Sequence, residues 1–184
     1  MNARIPALAR RGALAALLAT SALVLGCASP SPADYAAEKP VLDLKSYFNG
    51  ELVAHGIFTD RSGKVARRFV VQMTGTWTGN QGVLDERFTY SDGKTERRVW
   101  RLTDLGNGRW EGRADDVVGV ATGVSSGNAL NWRYTLSLPV DGKVYEVQFD
   151  DWMYLVDEKV MLNKAEMSKF GIRLGEVTLS FTKK

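Results

Sequence analysis

The chain has 184 residues, which is enough for one domain of ordinary size and too few for two. Hydrophobic residues make up 45% and charged residues 24%, a balance typical of a folded globular protein and not of a disordered one. A single cysteine, Cys27, excludes an internal disulfide, and a single histidine, His55, argues against an ordinary zinc or iron site. We therefore expect no metal and no cofactor.

The net charge of +3 comes from the N-terminus. Arg4, Arg10 and Arg11 precede a run of small and apolar residues over 12–26 that contains no acidic residue. Without residues 1–26 the chain keeps 21 of its 24 basic residues against 21 acidic ones. A neutral domain has no general attraction to a phosphate backbone, so we expect no nucleic-acid partner.

Residues 1–26 predict a secretory signal peptide, because a positive segment is followed by an apolar stretch shorter than the roughly 20 residues that span a bilayer. The sequence Val24-Leu25-Gly26-Cys27 resembles the lipobox of bacterial lipoproteins, which implies that residues 1–26 are a lipoprotein signal peptide. That resemblance implies cleavage before Cys27 and a membrane anchor through its acyl chains, with palmitate among them. An aspartate directly after the cysteine would favour retention in the inner membrane, but Ala28 and Ser29 occupy these positions. By resemblance to enterobacterial sorting rules, we therefore expect the protein in the inner leaflet of the outer membrane, facing the periplasm. The alternative is an ordinary signal peptide with an incidental cysteine.

Residues 27–40 are rich in alanine, serine and proline, and predict a flexible tether. The folded domain is expected to cover residues 41–184.

Beyond residue 41, apolar and polar residues alternate in runs that turn-forming pairs separate. Within residues 131–138, Trp132, Tyr134, Leu136 and Leu138 share one face. The same alternation is found in Val65–Thr76, Leu84–Tyr90, Glu96–Leu102, Tyr145–Met153 and Val177–Phe181. The turn-forming pairs are Asn49-Gly50, Ser62-Gly63, Asp92-Gly93, Asn107-Gly108 and Asp141-Gly142. Such alternation indicates antiparallel strands with one buried and one solvated face.

About nine or ten strands with short connections predict an all-β fold, an antiparallel up-and-down barrel of the lipocalin-like kind. One short helix is expected before the last strand, because Asn163 would cap it, Glu166 follows three residues later and Gly171 would end it. A two-sheet sandwich is the alternative fold.

Strict alternation places five charged residues on the inward face of the predicted barrel. They are Arg67, Glu86, Arg98, Asp116 and Asp151, and Asp116 falls in phase with Trp110 and Ala114 on the fifth strand. Burial of an unpaired charge costs several kcal/mol, so these groups could form a polar site that holds the head group of a ligand. The alternative is that they lie at strand ends near solvent, or that a bulge reverses the alternation.

Three tryptophans complete the candidate ligand-binding residues: Trp100, Trp110 and Trp132. Their rings would contact the apolar part of a ligand in an aromatic-lined barrel. The alternative is that they pack in the core of the barrel.

The sequence gives only weak support for catalytic motifs. Residues Gly123 to Gly127 fit the Gly-x-Ser-x-Gly pattern of a hydrolase, but that motif needs a following helix, and a strand is predicted there. The only histidine, His55, precedes this serine, whereas in that fold the histidine comes last. No phosphate-binding loop is found.

The chain resembles the DUF3833 family of uncharacterised proteobacterial lipoproteins from about Tyr35 to Phe181. The segments that carry the resemblance are Leu42 to Gly50, Asp60 to Val65, Tyr90 to Gly93, Ala114 to Gly119, Asp150 to Tyr154 and Met167 to Gly171. The resemblance implies a lipoprotein and supplies no catalytic residue.

Three functions remain open from the sequence. The first is non-enzymatic binding of a lipid or similar amphiphile, such as a fatty acid, inside a membrane-anchored barrel. The second is an envelope interaction or assembly protein with a solid barrel whose loops bind a partner. The third is a lipid hydrolase or isomerase that uses Glu86, Asp116 or Asp151 for acid–base chemistry.

Overall fold

Ten antiparallel strands form a closed barrel in the structure, a computed structural model that describes residues 29–140 and 142–184. The strands are β1 (Gly50–Asp60), β2 (Val65–Thr78), β3 (Gln81–Tyr90), β4 (Thr95–Gly106), β5 (Arg109–Arg113), β6 (Ala121–Ser126), β7 (Ala129–Val140), β8 (Lys143–Leu155), β9 (Val160–Lys169) and β10 (Ile172–Lys183). Each strand pairs with the next one along the chain, and β1 pairs with β10. The predicted up-and-down, lipocalin-like barrel is confirmed, and the two-sheet sandwich is excluded.

The alternation in the sequence becomes an inside and an outside of the barrel. On β2, Phe69, Val71 and Met73 are buried, and the residues between them are exposed. Inward side chains of the other strands join them in the main core. Residues 31–184 form one compact unit with its own core and a closed sheet, so a fragment of these residues is expected to fold by itself.

A short helix, α1 (Leu44–Tyr47), closes one end of the barrel. The side chain of Asp43 caps it by accepting hydrogen bonds from two backbone N–H groups of the first turn. Phe48 is buried against the strands, and the Tyr47 hydroxyl donates a hydrogen bond to the carbonyl of Lys159, 3.0 Å away in the β8–β9 turn. The barrel is therefore plugged at this end, which we call the closed end.

Part of the predicted tether lies against the outside of the barrel. Pro32–Tyr35 form one 3₁₀ turn, and the ring of Tyr35 packs on Trp152 and Tyr154 of β8 at centroid distances of 5.7 and 5.3 Å. The tether prediction did not anticipate this contact. Cys27 and the predicted signal peptide lie outside the described residues, so acylation and cleavage stay predictions.

The helix predicted before the last strand is wrong, because β9 occupies its place. Met161, Asn163 and Ala165 of this strand are buried and alternate with exposed neighbours. Hydrogen-bonded pairing to β8 on one side and β10 on the other holds the segment extended. The capping pattern from Asn163 to Gly171 is local, and two flanking strands outweigh it.

The wall of the barrel has one sector where strand pairing is interrupted. Because β5 has only five residues, the first half of β4 and the second half of β7 have no strand between them. The loop of residues 114–120 fills the gap: Val117 forms an isolated bridge with Leu136, and the Val118 N–H donates to the Thr135 carbonyl at 2.9 Å. We call this sector the seam.

The tip of the β9–β10 hairpin gives a testable consequence of backbone geometry. Phe170 and Gly171 have φ angles of 53° and 74°, and the Phe170 side chain is 88% exposed. Two successive positive φ angles favour Asn-Gly, and a phenylalanine is strained there. Phe170→Asn is therefore expected to stabilise residues 31–184 by about 1 kcal/mol in urea unfolding.

The control for this change is Phe170→Val, which removes the same exposed ring but places a β-branched residue at the positive φ angle. It is expected to be no more stable than the parent. A Phe170→Asn variant less stable than the parent would contradict the turn geometry.

Candidate ligand-binding cavity

The barrel encloses a cavity of about 1270 Å³. At the closed end it is lined by Leu44 and Phe48, and at the opposite, open end it reaches Tyr145, Lys169 and Leu174. A ten-stranded barrel is wider than an eight-stranded one, whose side chains just fill its interior. Its inward side chains therefore leave space in the middle.

Aromatic rings form one continuous side of this cavity. Trp100 of β4 meets Trp132 and Tyr134 of β7 edge to face, at centroid distances of 5.7 and 5.4 Å. Tyr134 in turn stacks on Phe149 of β8 at 4.9 Å, with the ring planes 8° apart. These four residues all line the cavity and offer flat apolar surface to a ligand.

Two glycines make room for the ring of Trp132. A Cβ atom at Gly112 of β5 or Gly123 of β6 would collide with that ring. The indole therefore lies directly over the backbone of these two strands, in the space that side chains would otherwise fill. The glycines thus set how far Trp132 extends into the cavity.

A charged cluster lies beside the aromatic wall. Strand register places Glu86 of β3 opposite Arg98 of β4, and Asp116 reaches the same guanidinium group from the seam. Arg98 donates from Nε and Nη2 to the Oδ2 atom of Asp116 at 2.9 and 2.7 Å. Its Nη1 lies 3.9 Å from Glu86 Oε2. Arg98 and Asp116 therefore form the tighter pair.

Asp151 of β8 is the least satisfied member of this cluster. It lies opposite Trp132 in the β7–β8 register and is only 6% exposed. Its Oδ2 atom accepts a hydrogen bond from the Tyr134 hydroxyl at 3.4 Å, while its Oδ1 atom has no partner among the described residues. A buried acceptor without a donor is costly, which makes this carboxyl group a candidate for ligand contact.

Two carboxyl groups of the cluster have raised pKa values. Burial raises the pKa of Glu86 to about 7, although the positive charge of Arg98 acts against it. Burial raises the pKa of Asp151 to about 8, with the hydrogen bond from Tyr134 and the charge of Arg98 acting in the opposite direction. Near neutral pH, Asp151 is therefore mostly protonated and Glu86 is divided between both forms, so each can donate or accept a hydrogen bond.

Most of the residues predicted to bind ligand line this one cavity. They are Arg67, Glu86, Arg98, Trp100, Asp116, Trp132 and Asp151. Arg67 lies near the open end, paired with Asp92 at 3.0 Å and placed over the ring of Tyr90. Trp110 lies outside the lining and packs in the core, where its indole N–H donates to Ser125 Oγ at 3.0 Å.

The predicted position of Asp116 on the fifth strand is wrong, because β5 ends at Arg113 and Asp116 lies in the seam loop. It still reaches the cavity because its carbonyl accepts a hydrogen bond from the Ser137 N–H, which fixes the loop beside β7. The contact between Tyr134 and Asp151 was not predicted either. Alternation places both residues inside, but only the β7–β8 register brings them together.

Residues 29–140 and 142–184 contain no cluster of histidine, cysteine and acidic side chains that could hold a metal ion. Within the same residues, no helix combines the length and the apolar character needed to cross a bilayer.

Comparisons with known proteins place the chain in a family and the barrel in a fold. The family described as "Protein of unknown function (DUF3833)" matches residues 21–183. Among solved structures, an S-type phycobiliprotein lyase from Guillardia theta is similar, with a TM-score of 0.60 and 4% sequence identity over 79% of this chain and 94% of that chain. At this identity the likeness concerns the fold alone. No curated protein matches the chain.

The raised pKa of Asp151 predicts how stability depends on pH. An acid with a raised pKa in the folded state stabilises the fold below its unfolded pKa, near 3.8, and this contribution is lost as the pH rises through about 8. Asp151→Asn keeps the hydrogen-bond acceptor but cannot ionise. We expect the unfolding free energy of the variant, relative to that of the parent, to rise between pH 5 and pH 8 by up to about 1.4 kcal/mol for each pH unit and to change little more by pH 9.

The matched control is Asp85→Asn, on the outer face of β3, where Arg97 lowers the pKa of the carboxyl group. It is expected to show no gain in stability between pH 5 and pH 9. A lower stability of Asp151→Asn than of the parent at pH 9 would show that Asp151 is ionised and satisfied in the folded barrel.

Proposed function

The chain belongs to the DUF3833 family, and we propose that it is a ligand-binding protein whose barrel holds a lipid or similar amphiphile. The observation that carries this proposal is the cavity of about 1270 Å³ in the middle of the barrel. Ligand pockets are usually concave, mostly apolar and supplied with a few polar groups that orient the ligand. This cavity has each of these properties.

The distribution of side chains in the cavity suits a molecule with one polar and one apolar part. Charged groups are concentrated where Glu86, Arg98 and Asp151 face the interior. The remaining wall is apolar or aromatic, and toward the closed end it is lined by Phe48, Met73, Leu84, Leu102, Leu130 and Phe181. Burial of an alkyl chain against such a wall contributes about 0.8 kcal/mol for each methylene group.

The alternative of an assembly protein with a solid barrel is less well supported, since the described residues enclose a cavity of ligand size. A second candidate function has one observation in its favour. Two carboxyl groups with raised pKa values, those of Glu86 and Asp151, face the same cavity, as they do in many acid–base enzymes. Recovery of a chemically altered ligand from the protein would support catalysis over binding.

We also infer that the barrel is a lipoprotein of the cell envelope, anchored by acylated Cys27 and facing the periplasm from the inner leaflet of the outer membrane. The sequence supports this part of the proposal: a positive segment, an apolar run and a small residue before Cys27. Several acyl chains would hold the protein on a membrane almost permanently.

Ligand binding is tested with the neutral dye Nile red and residues 31–184. We expect saturable binding near one dye per chain, with a rise in fluorescence as the dye leaves water. Met167→Trp, which places a larger ring in the cavity from β9, should weaken binding, because the indole takes space beside the bound dye.

Leu162→Trp is the control, because it adds the same ring to an exposed position on the outer face of β9. Its unfolding midpoint and that of Met167→Trp establish that both variants fold. Equal dye binding by the two variants would place the dye outside the cavity and contradict the proposal.

Anchoring is tested with the full chain expressed in a Gram-negative host fed with labelled palmitate. The parent should incorporate the label and fractionate with membranes, and Cys27→Ala should do neither, because the acyl chains need the cysteine. A labelled Cys27→Ala chain, or an unlabelled parent, would contradict the lipoprotein proposal.

A further inference from the structure

The charges that face the interior of the cavity are not balanced. Three carboxyl groups, those of Glu86, Asp116 and Asp151, meet one guanidinium group, that of Arg98. Two nitrogen atoms of Arg98 already donate hydrogen bonds to the carboxylate of Asp116. This pair is electrically neutral. Glu86 shares the same guanidinium group at the longer distance of 3.9 Å, and Asp151 forms no ion pair with any described residue.

The other charged side chains in the lining have partners away from these two acids. They are Arg67, Glu96, Arg97, Asp115 and Lys169. Arg67 pairs with Asp92 and Arg97 pairs with Asp85, while the ammonium group of Lys169 lies over the ring of Tyr145 at the open end. Arg67, Arg97 and Lys169 therefore do not compensate Glu86 and Asp151.

The surroundings of the two acids match the chemistry that recognises an organic cation. Trp132 lies directly across the strand pair from Asp151, and Trp100 lies edge to face against Trp132. An ammonium group beside an aromatic face gains cation–π attraction, which grows when water is excluded. Carboxylates next to such faces add an opposite charge and hydrogen-bond acceptors.

The same surroundings are unfavourable for an anionic head group. Beside the aromatic rings, Arg98 is already bound to Asp116, so a fatty-acid carboxylate placed there would have to displace Asp116. Its negative charge would also keep Glu86 and Asp151 protonated, so it would gain no favourable charge pair from either acid.

We propose that the cavity selects amphiphiles whose head group carries a positively charged nitrogen, which Glu86 and Asp151 hold beside the rings of Trp100 and Trp132. This inference rests on the proposed ligand-binding function and names its ligand class. The alkyl part of such a molecule occupies the apolar space toward the closed end.

The raised pKa values of the two acids make the proposed binding depend on pH. Without a ligand, burial raises the pKa of both groups, to about 7 for Glu86 and about 8 for Asp151. The groups that act on Asp151 are Tyr134 from β7, Arg98 from β4, Glu86 from β3 and its own neighbour Asp150. A bound cation adds a favourable charge, so binding should release protons near pH 7 and become tighter as the pH rises toward 9.

The test compares three probes that share a twelve-carbon chain: dodecylamine, dodecanol and dodecanoate, each below its micellar concentration. Displacement of Nile red from residues 31–184 at pH 8 measures their affinities. We expect the amine to bind at least about tenfold more tightly than the alcohol, and the carboxylate to bind more weakly than the alcohol. Dodecanoate that binds as tightly as dodecylamine would overturn the head-group assignment while leaving the proposed function intact.

Substitutions of the two acids test the contribution of the ligand's head group separately from that of its alkyl chain. Asp151→Asn and Glu86→Gln keep the shape of each side chain but remove its negative charge, so each should weaken amine binding by about tenfold and change alcohol binding by less than about twofold. Asp85→Asn, next to Glu86 in sequence but on the outer face of β3, should change neither affinity.

Amine binding that survives the double variant Asp151→Asn and Glu86→Gln would overturn the assignment of these two acids. Failure of all three probes and of Nile red to bind the parent would instead overturn the proposed function itself, and the head-group assignment with it.

Discussion

Closure of the sheet through the pairing of β1 with β10 is the constraint on which the rest of the structure depends. This pairing runs over nine residue pairs, from Leu52 opposite Lys183 to Asp60 opposite Gly175. It gives every strand two neighbours or a loop beside it, and it turns a simple alternation of side chains into an inside and an outside. Because ten strands take part, the inside is too wide for its own side chains to fill, and the cavity follows from that width.

The polar cluster inside the cavity depends on register between strands that are distant in sequence. Glu86 meets Arg98 across the β3–β4 pair, and Trp132 meets Asp151 across the β7–β8 pair. Burial makes each unmatched charge expensive, so the same geometry that stabilises Arg98 with Asp116 leaves Asp151 protonated near neutral pH. The electrostatic character of the cavity is therefore a property of the closed barrel and not of any single strand.

The sequence predicts most of the strands, the closed barrel and the inward direction of Glu86, Arg98 and Asp151, because alternation is a local signal that survives folding. It does not predict the features that depend on pairing. The segment around Asn163 carries helix-capping residues, yet two neighbouring strands hold it extended. Asp116 fits the alternation of the fifth strand, but β5 ends before it, at Arg113. The path of the loop beside β7 is what brings Asp116 to Arg98.

In the seam, the wall of the barrel depends on a loop and two ion pairs, whereas every other sector depends on a ladder of backbone hydrogen bonds. Backbone contacts of residues 116–118 hold the loop to β7, and the Arg98–Asp116 and Arg101–Asp115 pairs hold it to β4. Loss of these few bonds would leave the β1–β10 closure intact. We therefore expect the amide hydrogens of this sector to exchange faster than those of the continuous ladders, on the same side of the barrel as the polar cluster.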